Sequence, residues 1–151
     1  MRILPFQFST DTASLCIYDL GMLKHRLDAD EDWWSWPVAI QLQEANNGHV
    51  LFVDVGADGF HDGHIQFEPL AAPAIEGWLL APTGRVFVGA ADEVTAEGKE
   101  PDCSRGGLFV SIPPGAVEVQ IGRSATGTIQ VTLLSGKAFS SNHFKRPLRL
   151  S

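Results

Sequence analysis

Residues 116–134 read Ala116-Val117-Glu118-Val119-Gln120-Ile121-Gly122, then Arg123-Ser124-Ala125-Thr126-Gly127, then Thr128-Ile129-Gln130-Val131-Thr132-Leu133-Leu134. Val117, Val119 and Ile121 alternate with Glu118 and Gln120, and Ile129, Val131 and Leu133 alternate with Gln130 and Thr132. A period of two puts one side of a strand in a core and the other in solvent, so both stretches predict half-buried antiparallel strands. The five residues between them end in glycine, a usual hairpin length. Upstream, Gly107 to Ile112 predicts a third strand, joined through Pro113-Pro114-Gly115, where Pro suits the second and Gly the third position of a type II turn. The last third of the chain therefore reads as a β-meander.

The same chemistry recurs earlier. Ile75 to Leu80 and Arg85 to Ala91 flank Ala81-Pro82-Thr83-Gly84, and Val50 to Val55 is apolar at almost every position, as in a strand covered on both faces. His64 to Phe67 and Leu15 to Tyr18 add two shorter strands. The expectation is a mainly β protein, a two-layer antiparallel β-sandwich, jelly-roll-like, of about eight strands with one short helix. That helix begins near Ser35 as cap and Pro37 in the first turn, uses Val38, Ile40 and Leu42 as apolar contacts, and ends at Asn46-Asn47-Gly48. A weaker helical turn is read over 20–27. The division expected is one sandwich domain over 1–139 and a basic tail over 140–151.

With 151 residues and a mean hydropathy of +0.03, the chain can bury a core without disulfides and has no apolar run near membrane-spanning length. The formal net charge of −7 hides an asymmetry. Lys137, Lys145, Arg146 and Arg149 stand in the last fifteen residues with no acid, leaving 7 bases against 18 acids, a net −11, before them. An acidic body repels nucleic-acid phosphates and steers cationic partners, so a nucleic-acid partner is not expected. Cys16 and Cys103 form no secreted disulfide pattern, and Met1 to Phe8 lacks the apolar region of a signal peptide; the expected location is cytoplasmic, away from membranes.

Motifs for chemistry are sparse. Counting Asp54 as the first position of a calcium loop puts Asp58, Gly59 and Asp62 in place, but Gly56 stands at the third position and Ile65 where a bidentate Glu is required. His61 and His64 lie three apart and read as a pair on a turn that lacks a third spaced ligand; on a strand that spacing would put them on opposite sides. Neither a metal nor any other cofactor is expected, and a ligand- or metal-binding β-domain using the loop from Asp54 to His64 is the alternative reading. No Ser stands in Gly-x-Ser-x-Gly, and Cys103 beside Arg105 has no family signature. The chain reads as non-enzymatic.

The segment Asp28-Ala29-Asp30-Glu31-Asp32-Trp33-Trp34-Ser35-Trp36 is the least ordinary. Four acids precede three of the four tryptophans. Acids speed encounter with a cationic partner and indole rings anchor interfaces, which makes Asp28, Asp30, Glu31, Asp32, Trp33 and Trp34 the candidate partner-binding residues. The competing reading has Trp34 or Trp36 plugging the core under the helix while the acids sit in solvent and favour the helix N-terminus. The long polar stretch from Val94 to Arg105 is the other irregular segment.

Leu80 to Val94, leading into Gly107-Leu-Phe-Val-Ser-Ile-Pro-Pro-Gly115, together with Asp54 to Gly59, resembles small uncharacterised bacterial β-sandwich proteins and is similar to the competence-protein-J type of nuclease inhibitor. The resemblance covers roughly 80–120 and a patch before it. It implies a regulator, inhibitor or immunity protein; Asp28 to Trp36 lies outside it and takes no role from it. The function expected is an acidic cytoplasmic protein-binding module acting on a basic protein such as a toxin or nuclease, with a homodimer left open.

Overall fold

The two alternating stretches form an antiparallel pair in which Val119 faces Leu133 and Ile121 faces Val131. Around them the computed structural model, which describes residues 2–138 and 140–151, builds ten strands. These are β1 (Ile3–Thr10), β2 (Ser14–Asp19), β3 (Leu51–Asp54), β4 (Gly59–Gln66) and β5 (Ile75–Ala81), followed by β6 (Arg85–Ala90), β7 (Leu108–Ser111), β8 (Gly115–Arg123), β9 (Ile129–Ser135) and β10 (Leu148–Arg149). The helix α1 spans Val38–Asn46, and short 3-10 turns occupy Leu20–Met22, Lys24–Arg26 and Ala91–Glu93. The first sheet runs β1-β4-β9-β8-β5 and the second β10-β3-β2-β6-β7. The pairs β4–β9 and β3–β10 are parallel, and the remaining neighbours are antiparallel.

The protein is a mainly β two-layer sandwich with one short helix. Phe8, Ile65, Leu79, Val119 and Ile129 of the first sheet meet Leu15, Ile17, Val53 and Val88 of the second in one apolar core. The second sheet is covered on its other face as well. Cys16, Tyr18, Phe52 and Phe87 are buried there beneath Leu23, Trp33, Trp34, Val94 and Ala96. All six positions of β2 are buried in consequence, and so are Leu51, Phe52 and Val53 of β3, as the unbroken apolar run at 50–55 requires.

Three local expectations are corrected. The strand at 108–111 pairs with β6 in the second sheet while β8 and β9 lie in the first, so Pro113-Pro114-Gly115 is a crossing between layers and the meander shrinks to the β8–β9 hairpin. The segment 82–84 is a second such crossing, from β5 to β6, and the two touch: Ile112 donates its N–H to the Gly84 carbonyl at 2.7 Å. Gly84 has φ +75°, and a Cβ there would stand 2.3 Å from the Ile112 oxygen. The helix starts after Pro37 without a side-chain cap, because the Ser35 hydroxyl donates back to the Asp32 carbonyl at 2.9 Å. Its C-terminus follows the reading: Gly48, at φ +76°, lets its own N–H reach the Ala45 carbonyl and the N–H of His49 reach that of Glu44, both at 3.0 Å.

Phe139, where the sandwich was expected to end, lies outside the described residues. Beyond it the Asn142 side chain accepts from the Trp78 N–H at 2.8 Å and donates to the carbonyls of Trp78 and Ala45, each at 2.8 Å. An amide thus copies a strand partner along the open edge of β5. Asn46 does the same for the backbone of Phe144, and Leu150 is buried beside β10. Among the described residues, no helix is long and apolar enough to cross a membrane.

Asp19 pins the upper crossing. Buried at 1% exposure, its carboxylate accepts from the N–H groups of Gly21, Thr83 and Gly84 and from the Thr83 hydroxyl, at 2.8 to 3.1 Å. Gly84 is buried, and an interior N–H left unpaired costs about 1–3 kcal/mol, whereas Gly21 and Thr83 are exposed and can turn to water. Asp19→Ala is therefore expected to lower the unfolding free energy by about 1–3 kcal/mol, read from urea denaturation.

Candidate functional site

The two irregular segments singled out by composition lie against each other. Glu97 donates its N–H to the Ala29 carbonyl at 2.9 Å, Gly98 to that of Leu27 at 2.6 Å, and the Glu31 N–H reaches the Glu97 carboxylate at 3.1 Å. Beneath them Thr95, fully buried, forms the anchor. Its N–H donates to the Tyr18 hydroxyl at 2.9 Å, its own hydroxyl pairs with that oxygen at 2.8 Å, and its carbonyl accepts from the Trp33 indole N–H at 3.0 Å. Burial pushes the Tyr18 hydroxyl well above its ordinary pKa, so it stays neutral.

This arrangement divides the candidate binding residues. Asp28, Asp30, Glu31 and Asp32 are all exposed, on one stretch of surface. Trp33 and Trp34 are 6% and 7% exposed: the first packs edge-on to Phe52 beneath the Arg26 guanidinium, and the second stacks on Phe52 with ring centroids 4.8 Å apart. The two indoles expected to anchor a partner thus lie in the outer core, with most of their area against Phe52 and its neighbours. The open ring is that of Trp36, 79% exposed. Spacing alone could not separate the three, because the segment is a run of irregular turns with no period to follow.

Outside this edge the chain folds into a concavity of about 340 Å³. Its described lining includes the carboxylates of Glu31, Asp92, Glu93, Glu97, Glu100 and Asp102 against the cations Lys99 and Arg105. Several of the acids hold the wall. Glu93 accepts from the N–H groups of Asp102, Ser104 and Arg105, each at 3.2 Å. Asp92 accepts from the hydroxyls of Thr10 and Thr12 and from the Asp11 N–H, at 2.7 to 3.0 Å. Burial alone would raise the Asp92 carboxyl, but these donors outweigh it and hold it below the ordinary carboxylate value. The Cys103 thiol is pushed up by burial and by the charges of Glu93 and Asp102, the opposite of what a nucleophile needs.

The stretch from Asp54 to His64 does not converge on a ligand. Asp54 accepts from the Gly56 N–H at 2.7 Å, the His61 ring stacks on Phe8 with Nε2 2.7 Å from the Ala57 carbonyl, and Asp62 accepts from Gln7 at 2.6 Å. His61 and His64 sit on β4 rather than on a turn, and that strand and β3 belong to different sheets. A group the spacing did not reveal is His25, Glu44 and His49. The Glu44 side chain, 5% exposed, accepts from His25 Nε2 at 2.7 Å, from His49 Nδ1 at 3.1 Å and from Arg26 Nε at 3.4 Å. Burial would raise this carboxyl, and the hydrogen bonds from His49 and His25 bring it below its usual range instead. The helix that carries it buries Gln41, Glu44 and Ala45, where the sequence pointed to Val38, Ile40 and Leu42.

The fold and these surfaces define a β-sandwich carrying an acidic concave face on the outside of its second sheet. The chain belongs to the family of unknown function DUF6386, whose model matches residues 1–150. Its structure is similar to that of crocagin biosynthetic gene J, with a TM-score of 0.58 at 14% identity over 90% of this chain and 98% of that one. It is also similar, with a TM-score of 0.48 at 10% identity over 89% of this chain and 96% of the other, to ComJ from Bacillus subtilis, an inhibitor of the DNA-degrading activity of NucA. No curated protein matches the sequence.

Two outcomes follow from this geometry. Trp34→Ala should cost about 3–5 kcal/mol of unfolding free energy, as truncation of a core indole does, whereas Trp36→Ala should stay within about 0.5 kcal/mol. Because its folded pKa is depressed, Asp92 stabilises the fold above the ordinary carboxylate range, and that contribution is lost as the pH falls from there through the lower folded value. Acid titration of Asp92→Asn should accordingly show a shallower loss of stability across that range than the parent chain.

Proposed function

We propose that this protein is a non-enzymatic, acidic protein-binding module of the cytoplasm that holds a basic partner, a toxin or nuclease, against its acidic face. The observation that carries the reading is the junction of the two acidic segments: Leu27 and Ala29 are tied to Gly98 and Glu97 by backbone hydrogen bonds and Glu31 to the Glu97 carboxylate, so Glu31 lines the same concavity as Glu97, Glu100 and Asp102, and Asp28, Asp30 and Asp32 are exposed on the same short segment. Carboxylates gathered on a concave wall focus a negative field outward and raise the encounter rate with cations. The exposed ring of Trp36, on the same segment, supplies the area that an interface anchor needs. The resemblance carried by 80–120 adds the role of inhibitor or immunity protein. Binding through this face requires no cofactor.

The partner is sought by affinity capture from native lysate with mass spectrometry, and the face is tested by surface-plasmon kinetics. Replacing Asp28, Asp30, Glu31 and Asp32 by their amides should slow association and flatten its salt dependence, since such charges act over a Debye length of about 8–10 Å. Trp36→Ala should mainly speed dissociation and cost about 2 kcal/mol of binding or more. Rates unchanged in both variants would assign the segment to folding and solubility.

A further inference from the structure

We propose that His25, Glu44 and His49 form a binding site for a divalent transition ion of the zinc type. None of the three lines the acidic concavity, so either reading can fail without the other. Candidate ligand atoms from all three residues lie within 4.8 Å of one another. Two imidazole nitrogens and one carboxylate oxygen, with a fourth position open to water, is a common donor set for zinc, whose bonds to nitrogen and oxygen run about 2.0–2.2 Å. Both imidazoles already converge on one oxygen: His25 Nε2 and His49 Nδ1 each stand 3.1 Å from Glu44 Oε1. Only small ring movements are needed to bring three atoms around an ion, and His25, half exposed on a three-residue turn, is free to make them.

The fold explains why the three meet. The glycine-ended helix returns the N–H of His49 to the Glu44 carbonyl, which fixes His49 beside the side chain five residues before it. The 3-10 turn Lys24–Arg26 then carries His25 to the other side of the carboxylate.

Charge is the second observation. Glu44 is a buried carboxylate in the last turn of α1, where the helix dipole disfavours an anion. Of the neighbouring cations, Arg26 meets the carboxylate only at long range and is shared with an indole ring. Lys24 pairs with Glu100 at 2.6 Å, and Arg26, 3.4 Å from the carboxylate, lies over the Trp33 ring with its guanidinium carbon 4.6 Å from the centroid. A dication placed between the two rings and the carboxylate would offset the buried negative charge directly. Bound there, it would staple the turn at 24–26 to the end of the helix.

The experiment titrates the full-length apo chain with cobalt(II) chloride, followed in the visible spectrum, then displaces cobalt with zinc chloride. The expected result is saturation at one ion per chain with bands of low-coordinate cobalt, and affinity lowered by at least about tenfold in His25→Ala and in His49→Ala. His61→Ala and His143→Ala should leave it unchanged. Circular dichroism establishes that each variant is folded. As a second readout, zinc should raise the thermal midpoint of the parent chain and not that of the His25→Ala, His49→Ala double variant. Absence of a saturable cobalt spectrum in the parent chain would overturn the proposal, as would a spectrum that persists in the double variant or vanishes in His61→Ala.

Discussion

The hydrogen bonds that converge on Thr95 decide what the rest of the surface can be. Tyr18 lies on a strand buried along its whole length, and its hydroxyl must find partners on the outer side of the second sheet. Thr95 supplies them with its N–H and its hydroxyl, while its carbonyl holds the indole of Trp33. One residue thereby ties the loop after β6 and the segment after the 3-10 turns to the same strand. The outer core of Trp33, Trp34, Phe52 and Phe87 closes around that node. A sheet buried on both faces needs a cover, and in this chain irregular backbone with a single short helix provides it. The acidic face is the outside of that cover.

The eight segments expected to be strands are all strands, because period-two alternation and Pro/Gly punctuation report local geometry directly. What they do not report is which sheet a strand joins. Pro113-Pro114-Gly115 and Pro82-Thr83-Gly84 have the composition of tight turns, and the same residues serve a hairpin or a crossing between layers; what distinguishes them is the sheet that the flanking strands join. β1 was legible in principle, since Phe6, Phe8 and Thr10 alternate inward, but Pro5 obscures the pattern. Proline is tolerated there because β1 is an edge strand. β10 is two residues long and has no periodicity to read.

For the candidate site, the acids at 28–32 and the polar stretch at 94–105 could be picked out by composition, whereas their junction depends on backbone bonds between residues nearly 70 positions apart. The sorting of Trp33, Trp34 and Trp36 into two core rings and one exposed ring is likewise a tertiary fact. His25, Glu44 and His49 were hidden for a related reason. Each looks like an ordinary surface residue until the helix end and the 3-10 turn are set side by side.

So many carboxylates on one face raise the question of why they do not weaken the fold by repulsion. The answer lies in how they are used. Asp92, Glu93 and Asp102 accept hydrogen bonds from nearby backbone N–H groups, and Glu97 takes the N–H of Glu31, so local dipoles offset these charges and the loop gains its shape from them. Asp28, Asp30 and Asp32 stand on the adjoining segment, exposed and with no side-chain hydrogen bond among the described residues. Solvent and salt screen those charges at short range, which keeps their mutual cost small. The basic residues Lys145, Arg146 and Arg149 belong instead to the segment that closes the edges of β5 and β3, where Asn142 and β10 dock. Charge of the two signs is therefore placed by two different structural duties. The acids lining the concavity are largely occupied in building its wall, and the exposed acids of 28–32 remain available to a cationic surface, so the field that would draw a partner in does not depend on the bonds that hold the face together.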